Sequence, residues 1–127
     1  MKSIKTRTGE FFLDENNILN AVMFNNVIVD YEDALDNFLV IKNLTDNKPT
    51  LRLVDLTNNP KFENKAKKFL ENKEVQSMAI ARAILTGNNI KKVSLNFFVK
   101  LNLSKIPTKF FINYEDAVAW LKLQKRK

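Results

Sequence analysis

The tetrapeptide YEDA occurs twice, within VIVDYEDALDNFL at residues 27–39 and within FFINYEDAVAWLK at residues 110–122. Each copy follows three apolar residues and a polar one, and begins a run with the apolar spacing of a helix. The polar residues, Asp30 and Asn113, are good N-cap types because their side chains accept hydrogen bonds from free helical amides. The acidic pair that follows lies where the helix dipole favours negative charge. The motif therefore predicts two strand-to-helix transitions.

The adjacent acids of YEDA also raise the question of acid chemistry. Paired carboxylates can perform general acid–base catalysis or bind a hard cation. Neighbouring helix positions point in different directions, so Glu32 and Asp33 do not form a chelating pair. The helix-start interpretation is therefore favoured, and no catalytic residue and no metal ligand is predicted.

The region before the first YEDA has the pattern of an antiparallel hairpin. Residues 11–13 are apolar, and residues 14–17 (DENN) have the composition of a turn. A second apolar run covers residues 18–24, so the two runs are predicted to pair. Residues 27–29 are a short extended segment that leads into the first helix.

Helical and strand-like patterns alternate from the first YEDA onward. Residues 78–85 (MAIARAIL) are ambiguous because alanine favours a helix, but the Thr-Gly-Asn-Asn sequence after them favours a strand. The other predicted elements are a helix from Tyr31, a strand at 51–56, a helix from Phe62 to Leu70, a helix at 89–102, a strand at 109–112 and a helix from the second YEDA.

The resulting order, β-β-α-β-α-β-α-β-α, defines the fold class. It predicts an α/β fold with a mixed sheet, antiparallel in the N-terminal hairpin and parallel in the later strands. No linker or low-complexity segment divides the sequence. Residues 1–127 are therefore predicted to form a single domain.

The composition excludes several classes of enzyme. The 127 residues include no cysteine and no histidine. This removes thiolate chemistry, the Ser-His and Cys-His catalytic pairs and the commonest transition-metal ligands. The sequence also has no glycine-rich phosphate loop. We therefore expect a protein that is not an enzyme and has no cofactor.

The net charge of +7 favours encounter with anionic partners. The lysines are nevertheless spread round their predicted helices and interrupted by Glu63, Glu71 and Glu74, so no specific nucleic-acid partner is expected. No apolar run is long enough to span a membrane, and no signal-peptide core follows the first basic residues. These features predict a cytoplasmic protein, and the frequent Asn and Lys residues are typical of an AT-rich bacterial genome.

Polar residues follow two of the predicted parallel strands. Open α/β sheets bind ligands in the loops at the carboxyl ends of their strands. Here such loops could hold a polar ligand or a partner peptide, or their side chains could cap the helices that follow, which is the favoured interpretation. The residues are Asp55, Thr57, Asn58 and Asn59 after one strand and Thr86, Gly87, Asn88 and Asn89 after the next.

The predicted helix at residues 89–102 has more apolar surface than one sheet contact requires. Its first stripe runs from Ile90 to Leu101, and Leu95, Phe98 and Val99 form a second. A helix on one face of a sheet needs an apolar stripe of only about 100°. The second stripe predicts burial against the last helix, a homodimer contact or a cavity for a lipid-like ligand.

Nearly the whole sequence resembles STAS domains, the SpoIIAA-like family that includes anti-sigma-factor antagonists and is akin to Sec14-like lipid-binding folds. The resemblance is carried by FFLDENNIL at 11–19, VIVDYEDA at 27–34, NFFVKLN at 96–102 and IPTKFFINYEDAVAWL at 106–121. It is similar above all to small stand-alone bacterial members, and it implies the SpoIIAA-like fold.

One departure from that family bears on function. In phospho-switched antagonists a strand ending in Asp-Leu is followed by an Asp-Ser pair at the next helix start. Here Asp55 and Leu56 match the strand, but residues 57–64 (TNNPKFEN) contain no serine. Thr57 lies too early to be its equivalent, so no serine phospho-switch is expected.

The resemblance implies a non-enzymatic regulatory or protein-interaction domain whose protein partner the sequence does not identify. The alternative is a carrier or sensor of a small apolar or lipid-like ligand, which the Phe-rich third helix and the Sec14 kinship favour. A third interpretation is an enzyme with an unusual acid or tyrosine centre. An apolar cavity beside the third helix would favour the alternative, and a flat surface with no cavity would favour the interaction domain.

Overall fold

A six-stranded sheet forms the centre of the computed structural model, which describes residues 2–88 and 106–124. Its spatial strand order is β1-β2-β3-β5-β7-β8, and β4 and β6 form a separate two-stranded sheet. The strands are β1 (Ser3–Lys5), β2 (Gly9–Leu13), β3 (Ile18–Met23), β4 (Ile28–Val29), β5 (Thr50–Asp55), β6 (Lys61–Phe62), β7 (Ala79–Leu85) and β8 (Thr108–Phe111). The helices are α1 (Tyr31–Leu44), α2 (Asn64–Leu70), α3 (Lys73–Ser77) and α4 (Tyr114–Gln124).

The strand directions confirm the predicted mixed sheet. Strands β1, β2 and β3 pair antiparallel, whereas β3, β5, β7 and β8 pair parallel. The predicted hairpin is β2 and β3, and β1 adds an edge strand that the weak alternation of the first residues did not predict. The hairpin turn is held by the Asp14 carboxylate, whose Oδ1 accepts from the amides of Asn16 and Ile18 at 2.9 and 3.0 Å.

Both YEDA segments begin helices, as predicted. Helix α1 starts after Asp30, whose Oδ1 accepts from the Asp33 amide at 2.8 Å, while Asp33 Oδ2 accepts from the Asp30 amide at 3.0 Å. Helix α4 starts after Asn113, whose Oδ1 accepts from the Asp116 amide at 2.9 Å. The motif is therefore a helix N-terminus at both positions.

The ambiguous segment MAIARAIL is mainly strand, as predicted, and forms β7 from Ala79 to Leu85. Alanine favours helices, but these alanines lie in a strand because β7 pairs with β5 on one side and β8 on the other. All residues of β7 except Ile80 are buried. Ala81 and Ala83 are inaccessible to solvent beneath α4, where small side chains let the helix approach the sheet closely. Tertiary burial overrides propensity in this segment.

The prediction of one helix from Phe62 to Leu70 is wrong at its start. Phe62 lies in β6 and pairs with Val29, because the amides of Lys61 and Glu63 donate to the carbonyls of Val27 and Val29 at 2.9 Å each. The helix begins at Asn64. A partner strand distant in sequence therefore decides the local structure.

Two apolar layers form on opposite faces of the sheet. Helices α1, α2 and α3 cover one face and α4 covers the other. Alternation along β5 sends Arg52 and Val54 to the α1 side and Leu51 and Leu53 to the α4 side. The predicted helix at 89–102, with Leu95, Phe98 and Val99, lies outside the described residues. No helix in the described ranges is long and apolar enough to cross a membrane.

Candidate functional site

The first predicted loop lies at the carboxyl end of β5, and its polar groups bond within a turn. Asp55 Oδ1 accepts from the Thr57 amide at 2.9 Å and from the Thr57 hydroxyl at 2.6 Å. Asn58 Nδ2 donates to the Met23 carbonyl at 3.1 Å, and Asn59 has a φ of 60°. The chain continues into β6, so the predicted capping role of these side chains is wrong. They hold the turn instead.

The second predicted loop lies beside the first, because Asp55 and Leu85 are opposite each other in the sheet. Thr86 is buried, and its Oγ1 lies 3.4 Å from the Phe111 carbonyl, to which it donates. Gly87 has a φ of 57°, and a Cβ there would lie 3.3 Å from Thr57 Cγ2. Asn88 is exposed, and Asn89 lies outside the described residues. The structure therefore brings the two loops into contact.

An apolar cavity lies between the sheet and helices α1, α2 and α3. Its volume is about 120 Å³, and it is partly enclosed. Within residues 2–88 and 106–124, its polar lining residues are Asn37, Arg52 and Arg82. The apolar lining is Phe11, Ala21, Met23, Val29, Ala34, Phe38, Ile41, Val54, Leu56, Phe62, Leu70 and Val75.

Two arginines lie side by side in the wall of this cavity. Arg52 and Arg82 are opposite residues in the parallel register of β5 and β7. They are only 7% and 6% exposed. Arg52 Nη2 donates to the Met78 carbonyl at 3.2 Å, and Arg82 Nε donates to Thr108 Oγ1 at 3.2 Å. Two guanidinium groups are therefore held in an interior that is otherwise largely apolar.

The electrostatics of the pair are those of buried cations. Burial lowers the pKa of Arg52 to about 10, with a further contribution from the charge of Arg82. Burial also lowers the pKa of Arg82 to about 10. Both groups remain protonated at neutral pH, so the cavity wall carries positive charge.

Some buried polar side-chain atoms have no hydrogen-bond partner, and one of them belongs to Arg52. Among the described residues these buried atoms are Thr50 Oγ1, Arg52 Nε and Gln76 Oε1. Thr50 is two residues from Arg52 on the same strand, and its amide donates to the same Met78 carbonyl at 3.1 Å. Buried polar groups normally have partners. The buried Nε of Arg52, a residue that lines the cavity, is therefore an unused donor among the described residues.

Asn37, the third polar lining residue, has its amide engaged elsewhere. Its Nδ2 donates to Thr8 Oγ1 at 2.9 Å, and its Oδ1 accepts from the Thr6 hydroxyl at 2.6 Å. These bonds tie α1 to the segment between β1 and β2. Asn37 is thus part of the scaffold, and the arginines supply the polar chemistry of the cavity.

An ion pair reinforces the same connection at the start of α1. Arg7 Nε donates to Asp33 Oδ1 at 2.9 Å, and Arg7 Nη2 contacts Asp33 Oδ2 and the Ile28 carbonyl. The hydrogen bond from Arg7 lowers the pKa of Asp33, and the bond from Asp30 acts in the same direction. Asp33 of the first YEDA is therefore a structural acid. No cluster of acidic residues that could bind a metal ion is found in the described ranges.

The sequence interpretation missed the arginine pair. The signal was present in LRLV and ARAI, where each arginine interrupts an apolar strand. Strand alternation places such a residue on the same face as its neighbours two positions away. For Arg52 and Arg82 those neighbours include Val54 and Ile84, which belong to the α1-side core.

The six-stranded mixed sheet and its helices form an α/β fold of the SpoIIAA-like type. The structure is similar to the crystal structure of an uncharacterized DUF3478-family protein with a SpoIIAA-like fold from Shewanella loihica PV-4. The two are 14% identical with a TM-score of 0.62, and the match covers 94% of this chain and 90% of that chain. This likeness confirms the predicted fold.

The family is shown by a direct sequence match. The family model described as a domain of unknown function, DUF7793, matches residues 11–125, and the chain belongs to this family. A search of curated proteins gives no significant match.

Proposed function

We propose that this protein is a non-enzymatic regulatory domain that binds a small, largely apolar ligand, as a sensor or a carrier. The observation that carries the proposal is the cavity of about 120 Å³ beneath α1, α2 and α3. A well-packed interior has few voids larger than a water molecule. Apolar cavities of this order bind molecules such as benzene in other proteins. The helix that the sequence analysis associated with a ligand, at residues 89–102, lies outside the described residues.

The lining supports binding rather than catalysis. Among the described residues the lining includes no carboxylate, hydroxyl, thiol, imidazole or amine side chain, and these supply none of the usual general bases or nucleophiles. Its two arginines stay protonated at neutral pH, and they are donors only. Such a wall can hold and orient a ligand.

Leu56 connects the cavity to the loop that is predicted to bind a protein partner. This residue is 3% exposed and lines the cavity, and it lies between Asp55 and Thr57 of the predicted partner loop. Its amide donates to the Leu85 carbonyl at 2.8 Å, at the end of the neighbouring strand. A ligand in the cavity would therefore contact Leu56 and could shift the backbone at the point where the two loops meet. In this proposal ligand binding takes the place of the missing serine phospho-switch.

Methionine methyl groups provide a direct test of binding. Met23 lines the cavity itself, whereas Met78 does not line it and packs behind two lining residues, Phe38 and Val75. We expect titration with hexanol or hexanoate to shift the NMR signal of the Met23 methyl more than that of Met78. Native mass spectrometry of the purified full chain is expected to show a copurified small molecule.

Filling the cavity is the matched control. Ala34 is 2% exposed and lines the cavity, so Ala34→Leu should abolish both the Met23 shift and the copurified mass. Ala119→Leu makes the same change at an exposed position of α4 on the other side of the sheet, and it should leave binding intact. Binding that survives in a folded Ala34→Leu protein, or a wild type that binds neither probe, would contradict the proposed function.

A further inference from the structure

The arginine end of the cavity indicates the chemical class of its ligand. We propose that the ligand is an apolar monocarboxylate of about six carbons, whose carboxylate binds Arg52 with Arg82 beside it. The inference rests on the proposed function, because it requires that the cavity be occupied. It adds the charge, the head group and the size of the occupant.

The first step is that Arg52 has no anionic side chain as a partner in the part of the chain that the structure describes. All 14 acidic side chains lie in the described ranges, and none of them forms an ion pair with Arg52. Among the described residues, the charge that affects the pKa of Arg52 is the like charge of Arg82, which lowers it after burial itself. Burying a cation without a counter-ion is unfavourable, and proteins almost always pair or coordinate such groups. An anionic ligand would supply the missing charge.

The second step is that donors remain available. Arg52 uses Nη2 for the Met78 carbonyl, and its Nε has no acceptor among the described residues. A guanidinium has five N–H donors in a planar fork, and two parallel donors match the two oxygens of a carboxylate. Arg52 can therefore donate to a carboxylate and keep its hydrogen bond to the Met78 carbonyl.

The third step favours a carboxylate over a phosphate ester. A phosphate presents more oxygens and a larger charge, and it needs more donors than a carboxylate does. The remaining polar lining residue is Asn37, whose Nδ2 already donates to Thr8. The rest of the lining is apolar. The wall therefore suits a small head group that carries one charge.

The fourth step concerns size. The cavity volume of about 120 Å³ is somewhat smaller than the engineered cavity of about 150 Å³ that binds benzene, which has six carbons. Side chains from α1, β4, β6 and α2 close the space around it, including Ala34, Val29, Phe62 and Leu70. A six-carbon carboxylate such as hexanoate is of this order of size, whereas most of a long-chain fatty acid would extend beyond the cavity.

The experiment compares four probes on the full chain by calorimetry, with the Met23 methyl signal as the site readout. Hexanoate, hexanol, hexylammonium and hexyl phosphate share one hydrocarbon tail and differ in the head group. We expect hexanoate to bind about tenfold more tightly than hexanol, and hexylammonium to bind least. Hexyl phosphate binding more tightly than hexanoate would overturn the carboxylate assignment.

Variants of Arg52 then separate charge from shape. Arg52→Met should reduce hexanoate affinity about tenfold or more and leave hexanol affinity nearly unchanged. Arg52→Lys keeps the charge without the planar fork and should restore part of the hexanoate preference. Lys68→Met removes a positive charge from the exposed surface of α2 and should have no effect on either probe.

The outcomes distinguish this inference from the proposed function. If hexanol and hexanoate bind equally at Met23, the cavity binds ligands but the carboxylate assignment is wrong. If neither probe moves the Met23 signal, both the inference and the proposed function fail. Should Arg52→Met not fold, the comparison of hexanoate with hexanol in the wild type, together with Arg52→Lys, decides the question.

Discussion

Arg52 and Arg82 are direct neighbours across the parallel pair β5–β7, and both are buried on the side of the sheet that faces α1. Two adjacent cations within a core oppose folding, because each loses hydration and each repels the other. This relationship makes the ligand-free protein less stable than its packing alone would allow. The first prediction follows from it.

We predict that Arg52→Met stabilises the ligand-free protein by about 1–4 kcal/mol, the range found when buried charges are replaced by apolar residues of similar volume. The measurement is urea unfolding after the chain has been unfolded, stripped of bound molecules and refolded. Lys68→Met, which removes an exposed charge, should change the free energy of unfolding by less than about 0.5 kcal/mol.

The same variant has a defined pH dependence. The pKa of Arg52 is lower in the folded protein, at about 10, than in the unfolded chain. The wild type therefore carries the full penalty of the buried charge below about pH 10, and the penalty is relieved as the pH rises above that value. The gain in the free energy of unfolding of Arg52→Met over the wild type should be constant around neutral pH and decrease at alkaline pH. If Arg52→Met is instead less stable than the wild type, the hydrogen bond from Arg52 to the Met78 carbonyl contributes more to stability than the buried charge costs.

The two helix N-caps provide the second prediction. Asp30→Ala and Asn113→Ala should each reduce the free energy of unfolding by about 0.5–2 kcal/mol. Asp30 should have the larger effect, because it belongs to a reciprocal capping box and lies near Arg7, whereas the Asn113 bonds are exposed. Chemical unfolding measures both. Full stability in either variant combined with loss of ligand binding would contradict the structural role of YEDA.

The third prediction concerns acid stability. The pKa of Asp33 is lowered in the folded protein, chiefly by Arg7, so its contribution to stability is present above the unfolded pKa and is lost as the pH falls through the folded value. Asp33→Asn should be less stable than the wild type at neutral pH, and the difference should narrow below about pH 4. A difference that does not change with pH would mean that Asp33 acts through hydrogen bonds alone.

The contact between the two loops gives the fourth prediction. Gly87 has a φ of 57°, which side chains other than Asn and Asp rarely adopt. Gly87→Ala should reduce the free energy of unfolding by about 1–2 kcal/mol. Gly87→Asn places the same Cβ 3.3 Å from Thr57 but tolerates this conformation, so it should be less destabilising. Equal losses in the two variants would show that the Cβ contact, rather than the backbone, limits this position.

The sequence by itself determined the parts of this protein that depend on neighbouring residues. Asp30 and Asn113 cap their own helices through bonds that span three residues, so YEDA could be interpreted locally. The strand at Ala79–Leu85 and the mixed sheet followed from the order of such segments. That residues 57–64 contain no serine could also be seen in the sequence directly.

Only the tertiary structure decided the cavity and its charge. Arg52 and Arg82 are 30 residues apart, and their adjacency depends on the register of β5 and β7, which no local pattern specifies. Phe62 lies outside its predicted helix for the same reason, because it pairs with Val29 of a strand that is distant in sequence. Strand pairing and helix packing join residues that are distant in sequence. A gap between sheet and helices, and the arginines in its wall, arise only when those elements meet.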